Sequence, residues 1–285
     1  MKFGIHLITL MNTWNDDFLE LIRLARDIGF EGVEVPVLDL SKFPQEDLRK
    51  LKEEIDIKIL CGTGLSEDTD ISSSDLKKRK KGIDYLKKCI EIASNLSSPQ
   101  LGGVLYAPWG KTSPIYREKK RRENAIESMK EICDFAEKSK VTLAIEPLNR
   151  YETSFINTVD EAIEFIQKIG SKNIKLHLDT FHMNIEEENF EKAFEKSKDY
   201  LFHLHVSENN RSLPGFGNLD WQLISRCVRK IGYSRWVVVE SIINYPSEIA
   251  CETNTWRTFS KDKIKDLRKS LDFLKNVFFT KESTI

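Results

Sequence analysis

The sequence predicts a single closed (β/α)8 barrel, the TIM-barrel architecture, from two patterns. Eight short runs rich in β-branched and apolar residues recur along the chain, and they start about 33 residues apart on average, the size of a βαβ unit. These runs cover residues 3–8, 32–37, 56–61, 102–107, 141–146, 174–179, 201–206 and 235–241. Longer polar segments with helical periodicity separate them. Because each crossover between parallel strands needs a helix, the alternation predicts a parallel sheet.

The segments between the runs carry apolar residues at helical spacing. In the segment 17–28, one face holds Phe18, Leu21, Ile22, Ala25 and Ile28, and a second such stripe lies within 116–140. A doubly wound open sheet is the alternative, and a glycine-rich turn after the first strand would favour it, but residues 8–12 contain no glycine. No linker rich in proline, glycine or serine divides the chain, so we expect one domain over residues 1–285.

Composition and charge argue against several classes of protein. The 285 residues include 44 Lys and Arg and 45 Asp and Glu, a formal net charge of −1, whereas nucleic-acid-binding proteins are usually strongly basic. No apolar run approaches the roughly 20 residues that span a bilayer. The 5 cysteines are scattered without a C-x-x-C pair, which predicts reduced, mostly buried thiols in a cytoplasmic protein.

Four candidate ligands stand at the ends of four consecutive predicted strands. The fifth run ends in Glu146, the sixth in Asp179, the seventh carries His205 near its end, and the eighth carries Glu240. Barrel active sites lie at this end of the strands. Side chains alternate along a strand, and the same alternation turns the apolar neighbours of each ligand toward the helices. We therefore expect these four side chains to converge on one mouth of the barrel.

Three carboxylates at one mouth repel each other unless a cation lies between them. An oxygen-rich set with one imidazole suits a hard or borderline divalent ion, Mn²⁺ first, with Co²⁺ or Mg²⁺ as alternatives, rather than thiolate-bound zinc. The alternative interpretation is that the carboxylates cap helices or pair with Arg150 and Arg211.

Short polar sequence motifs around these ligands resemble those of a known family. The strings IEPLNR, LDTFHMNIEE and H-x-x-E-x-N-R begin at residues 145, 178 and 205. Together they resemble the ketose 3-epimerases, the D-tagatose and D-psicose (D-allulose) 3-epimerases among the xylose-isomerase-like barrels, and the resemblance covers essentially the whole chain. It implies that Glu146, Asp179, His205 and Glu240 bind the metal. It further implies that Glu152, His182 and Arg211 hold the substrate's oxygens, and that the protein is a homodimer or homotetramer.

The activity that this resemblance implies is epimerisation of a free ketohexose or ketopentose at C3 through a cis-enediolate. The reaction removes a proton beside the C2 ketone and returns one to the opposite face, so it needs an acid and a base on opposite sides of C3. We expect Glu146 and Glu240 to be that pair. The loop after the eighth strand, residues 242–246, has no glycine, which favours a free sugar over a sugar phosphate.

Other candidate residues lie near the same mouth. Trp14 and Trp109 are candidate walls for the sugar, with ordinary packing as the alternative, and His6 is a candidate substrate contact. His177 and His203 are interpreted as core histidines with satisfied hydrogen bonds. Glu34, near the end of the second strand, has no assigned role.

Three other functions are weighed. The runner-up is a related metal-dependent aldose–ketose isomerase. An abasic-site endonuclease from the same superfamily would need more histidines and a basic groove. A non-catalytic sugar-binding protein has no need for two opposed carboxylates.

Overall fold

The computed structural model describes residues 1–279 and shows a closed barrel of eight parallel strands. The strands are β1 Lys2–His6, β2 Gly32–Pro36, β3 Lys58–Leu65, β4 Gln100–Pro108, β5 Thr142–Ile145, β6 Ile174–Asp179, β7 Leu201–Val206 and β8 Trp236–Val239. Each strand pairs with its neighbours in chain order, and β8 pairs with β1 to close the ring. The predicted (β/α)8 fold is confirmed. The predicted single domain over 1–285 extends into 280–285, which lie outside the described residues.

Two strands are longer than the sequence predicts. The structure extends β3 to Leu65 and begins β4 at Gln100, whereas the apolar runs cover only 56–61 and 102–107. The sequence Gly62-Thr63-Gly64 is typical of a loop, yet it pairs in register with β4. Gly103 has a φ of 110°, and a Cβ there would lie 2.3 Å from the carbonyl oxygen of Thr63. Glycine is required because the two backbones approach closely.

Helices cover the outside of the barrel. They are α1 Phe18–Ile28, α2 Gln45–Ile55, α3 Leu76–Asn95, α4 Lys119–Lys138, α5 Val159–Ile169, α6 Thr180–Glu186, α7 Phe190–Ser197, α8 Trp221–Lys230, α9 Glu248–Glu252 and α10 Lys263–Phe279. The predicted stripe of α1 buries Ile22, Ala25 and Ile28. The helix begins where Asp17 accepts a hydrogen bond from the Leu19 N–H and ends at Gly29, whose φ is 112°.

The barrel interior is polar near one mouth. Glu34 on β2 contacts His203 and His205 on β7, and these two strands are not neighbours in the sheet. The three side chains therefore point into the interior. Leu204, between the two histidines, and Val206, after them, are buried, as the predicted alternation requires.

Cysteine usage agrees with the sequence-based expectation of free thiols. All five cysteines are free; Cys61, Cys89, Cys133 and Cys227 are buried and Cys251 is exposed. None of the helices between residues 1 and 279 combines the length and the apolar composition that a bilayer span requires.

Gly82 lets α3 pack closely on the segment after β3. A Cβ at this position would lie 2.1 Å from the carbonyl oxygen of Thr69. Alanine is favoured over glycine within a helix by about 1 kcal/mol, but this overlap forces the two segments apart. We therefore expect Gly82→Ala to lower the free energy of unfolding by about 1–3 kcal/mol in urea denaturation. Lys78→Ala, on an exposed position of the same helix, should change it by less than about 0.5 kcal/mol. A Gly82→Ala protein as stable as the parent would contradict this packing.

Candidate active site

The four predicted ligands stand at the carboxyl-terminal ends of successive strands. Glu146 follows β5, Asp179 ends β6, His205 is the penultimate residue of β7, and Glu240 follows β8. One potential ligand atom from each side chain lies within 4.8 Å of those of the other three. Strand order thus places three carboxylates and an imidazole at one mouth of the barrel, which is where the fold positions active sites.

Arg211 supplies the positive charge nearest to these carboxylates. Its Nη1 lies 2.6 Å from Oδ2 of Asp179 and 3.0 Å from Oε2 of Glu240. Its guanidinium also lies over the ring of Phe181, 4.0 Å from the centroid. The pairing with Arg211 that the sequence offers as an alternative role is therefore present for two of the carboxylates. Among residues 1–279, no arginine pairs with Glu146.

The two glutamates differ in the direction in which their surroundings shift the pKa. Burial, and after it the nearby charge of Glu240, raises the pKa of Glu146 well above its ordinary value. Burial would also raise the pKa of Glu240, but contacts with His205 and Arg211 outweigh it and hold that pKa well below the ordinary range. The surroundings of the two side chains therefore shift their pKa values in opposite directions.

Comparison with known proteins finds relatives that match almost the whole chain. Residues 22–277 match the family described as xylose isomerase-like TIM barrel. A D-psicose 3-epimerase of Enterocloster bolteae is 32% identical over 289 residues, which cover 98% of this chain and 96% of that protein. A crystal structure of D-psicose 3-epimerase with D-tagatose from Clostridium cellulolyticum H10 is similar at a TM-score of 0.91 and 29% identity. It covers 98% of this chain and 99% of that one.

The chain belongs to the ketose 3-epimerase family. An L-ribulose 3-epimerase of Methylomonas sp., 30% identical, covers 96% of this chain and 97% of that protein. The resemblance read from the sequence strings is confirmed, and so is the predicted class of enzyme, an isomerase of the epimerase type.

In this ketose 3-epimerase family member, the candidate substrate contacts surround one cavity of about 150 Å³. All six residues that the sequence nominates line it: His6, Trp14, Trp109, Glu152, His182 and Arg211. Trp109 donates its Nε1–H to Oε2 of Glu152 at 3.2 Å, and Trp14 donates its own to Glu252 at 2.7 Å. His6 lies 3.9 Å from Oε1 of Glu240. The two tryptophans are thus held at the rim by acids, with their rings against the cavity.

Asn149 is a residue of this epimerase's site that the sequence reasoning missed. Its side-chain amide donates to Oε1 of Glu152 at 2.8 Å, and its backbone N–H donates to Nδ1 of His182 at 3.2 Å. Burial, followed by the charge of Arg211, lowers the pKa of His182 to about 3, so this ring is neutral and can accept. Asn149 stands inside the IEPLNR string, which was the available signal.

The interior histidines below the mouth depart from expectation. His203 donates Nε2–H to Glu34, but its Nδ1 has no hydrogen-bond partner within residues 1–279, and neither nitrogen of His177 has one. Both histidines are buried in the core, as predicted, but the predicted hydrogen bonds are absent for His177 and present for one nitrogen of His203 among residues 1–279. The nearest carboxylate oxygen to His177 is Oε2 of Glu146, 3.7 Å from its Nδ1. With His205, the pair forms a second group of nitrogens close enough to bind a metal.

Proposed function

We propose that the protein is a divalent-metal-dependent epimerase of free ketoses at C3, with Glu146 and Glu240 as the acid–base pair. The observation that carries the proposal is the pair itself, two carboxyl groups with oxygens within 4.8 Å of each other at one mouth, whose surroundings shift their pKa values in opposite directions. Environments that push two pKa values apart are typical of acid–base pairs in catalysis. The relatives named as D-psicose and L-ribulose 3-epimerases support the substrate class.

The donor set at the mouth fits a divalent cation. Oε1 of Glu146 and Nδ1 of His205 are buried and have no hydrogen-bond partner in the described part of the chain. Together with Asp179 and Glu240 they would hold the ion, and three oxygens with one nitrogen favour Mn²⁺, with Co²⁺ or Mg²⁺ as alternatives. Such an ion would act as a Lewis acid toward the ketose oxygens at C2 and C3.

The chain's own residues would move the proton at C3. In one direction Glu240 would take the C3 proton as the base, and Glu146 would deliver one as the acid to the opposite face of the cis-enediolate. In the reverse direction the two exchange roles. His182, Arg211 and Glu152 would hold the substrate's oxygens, while His6, Trp14 and Trp109 would enclose the sugar.

The cavity lining supports a free sugar as substrate. Arg211 is the one arginine or lysine among the described residues that line it, and its guanidinium is already bonded to Asp179 and Glu240. A phosphate group carries about two negative charges and usually needs unengaged cations or backbone N–H groups. We therefore expect a ketohexose or ketopentose without phosphate.

The test is incubation of the purified protein and Mn²⁺ with D-fructose, D-psicose, D-tagatose and L-ribulose, followed by chromatography. We expect interconversion of C3 epimers and no aldose. Formation of an aldose would instead support the aldose–ketose isomerase. The absence of any C3 epimer from all four sugars would overturn the proposal.

Assembly and location are proposed on narrower grounds. The family resemblance supports a homodimer or homotetramer, and analytical ultracentrifugation would distinguish them. Five free thiols, four of them buried, support a cytoplasmic location, which fractionation of the producing cells would test.

A further inference from the structure

Glu34 contacts a predicted metal ligand from the side opposite the proposed cation. Its side chain is 1% exposed, and its Oε2 lies 2.6 Å from Nε2 of His203 and 2.9 Å from Nε2 of His205. Carboxylate oxygens accept and imidazole N–H groups donate, so both rings carry their proton at Nε2 toward this one oxygen. His203 anchors the carboxylate, and the carboxylate in turn orients His205.

The bond to Glu34 decides which nitrogen of His205 is available to a cation. With Nε2 committed as a donor, the lone pair that can bind a metal is on Nδ1. That atom lies 3.5 Å from Oε2 of Glu240 and 4.0 Å from Oε1 of Glu146. It has no hydrogen-bond partner within the described residues. The interior contact therefore turns the free nitrogen toward the three carboxylates.

Gly62 on β3 keeps room for this carboxylate. A Cβ at Gly62 would lie 2.8 Å from Oε1 of Glu34, closer than ordinary packing allows. The lack of a side chain at Gly62 on β3 thus leaves Glu34 in place against His203 and His205.

We propose that Glu34 is a positioning residue that fixes His205 in the tautomer presenting Nδ1 to the metal. The inference rests on the proposed function for the presence of a cation at His205, and on the contacts of Glu34 for the choice of nitrogen. Outer partners of metal-binding histidines typically change metal affinity by about 10–100-fold when they are removed.

The first experiment reads the bound nitrogen directly. Protein with ¹⁵N-labelled histidine, loaded with ¹¹³Cd²⁺, should show cadmium coupling to Nδ1 of His205 and a proton on Nε2. Coupling to Nε2, or to neither nitrogen of His205, would overturn the inference. The result needs no variant, and a protein that shows the Nδ1 coupling yet epimerises no ketose would refute the proposed function alone.

The second experiment compares variants of full-length protein by Mn²⁺ binding in calorimetry. Glu34→Gln is expected to weaken binding by about 10–100-fold. The neutral amide oxygen of glutamine accepts hydrogen bonds from the two rings more weakly than the charged carboxylate does. Glu34→Asp, which keeps the charge, should recover part of that loss. Glu31→Gln is the matched control, since Glu31 bonds the Phe3 N–H and neither histidine, and it should leave the affinity within twofold. Equal affinities for Glu34→Gln and Glu31→Gln would overturn the positioning role, and if Glu34→Gln does not fold, the cadmium spectrum decides.

Discussion

Replacing either Glu146 or Glu240 with glutamine is expected to lower kcat by about 10²–10⁴-fold, the usual contribution of a general acid or base. Glutamine keeps the size of the side chain and one oxygen that can face a cation, but it cannot exchange a proton at C3. The measurement is the initial rate of C3 epimerisation at saturating ketose and Mn²⁺. Glu164→Gln, on the outer helix α5 where Glu164 pairs with Lys168, is the control and should retain full activity.

Hydrogen exchange separates the roles of the two glutamates. In D₂O, the glutamate that remains in each variant can still remove the C3 proton of the epimer that it faces. We therefore expect Glu240→Gln to exchange the C3 hydrogen of one epimer for deuterium, and Glu146→Gln to exchange the C3 hydrogen of the other. Both variants exchanging the same epimer, or either one retaining kcat within tenfold of the parent, would contradict an opposed pair.

Removal of divalent cations is expected to abolish epimerisation and to lower the melting temperature. Without a cation, the carboxyl groups of Glu146, Asp179 and Glu240 lie at short range from one another, and Arg211 pairs with only the last two. A ligand present at 100 times its Kd stabilises the folded state by about 2.7 kcal/mol, which corresponds to roughly 5–10 °C for a chain of this size. Chelation followed by a thermal melt and an activity assay measures both effects, and added Mn²⁺ should reverse them.

Asp179→Asn provides the control for the effect of chelation. This variant lacks one of the four proposed ligands, so its melting temperature should respond far less to the chelator than that of the parent. Full activity in protein from which mass spectrometry detects no metal would contradict the proposed cation. An equal shift in parent and variant would place the metal elsewhere.

The fold follows from local patterns because each repeat carries its own signal. The limits of β6 and β7 agree with the apolar runs 174–179 and 201–206, in which leucine and histidine alternate toward the end of the strand. The limits of β3 and β4 do not, because glycines such as Gly62 and Gly103 have no side chain to mark a strand. Their strand geometry is decided by pairing between the two backbones, which a single segment does not display.

The mouth of the barrel was predictable for a related reason. Strand-end polar residues such as Glu146 and Asp179 recur one repeat apart, and the topology of a barrel brings such ends together. Glu34 could be placed near the mouth from the sequence but had no assignable role, because its partners His203 and His205 are 169 and 171 residues away. The unbonded nitrogens of His177 depend on the packing of three rings and leave no local sequence signal.

The long separation between Glu34 and His205 has a consequence for the order of events during synthesis. The four proposed ligands lie between residues 146 and 240, in the second half of the chain, whereas Glu34 belongs to the second strand made. A fragment beginning at β5 would hold every ligand and lack the group that orients the imidazole. High-affinity cation binding would then arise only when the ring of strands closes, so metal uptake would report completion of folding rather than guide its early stages.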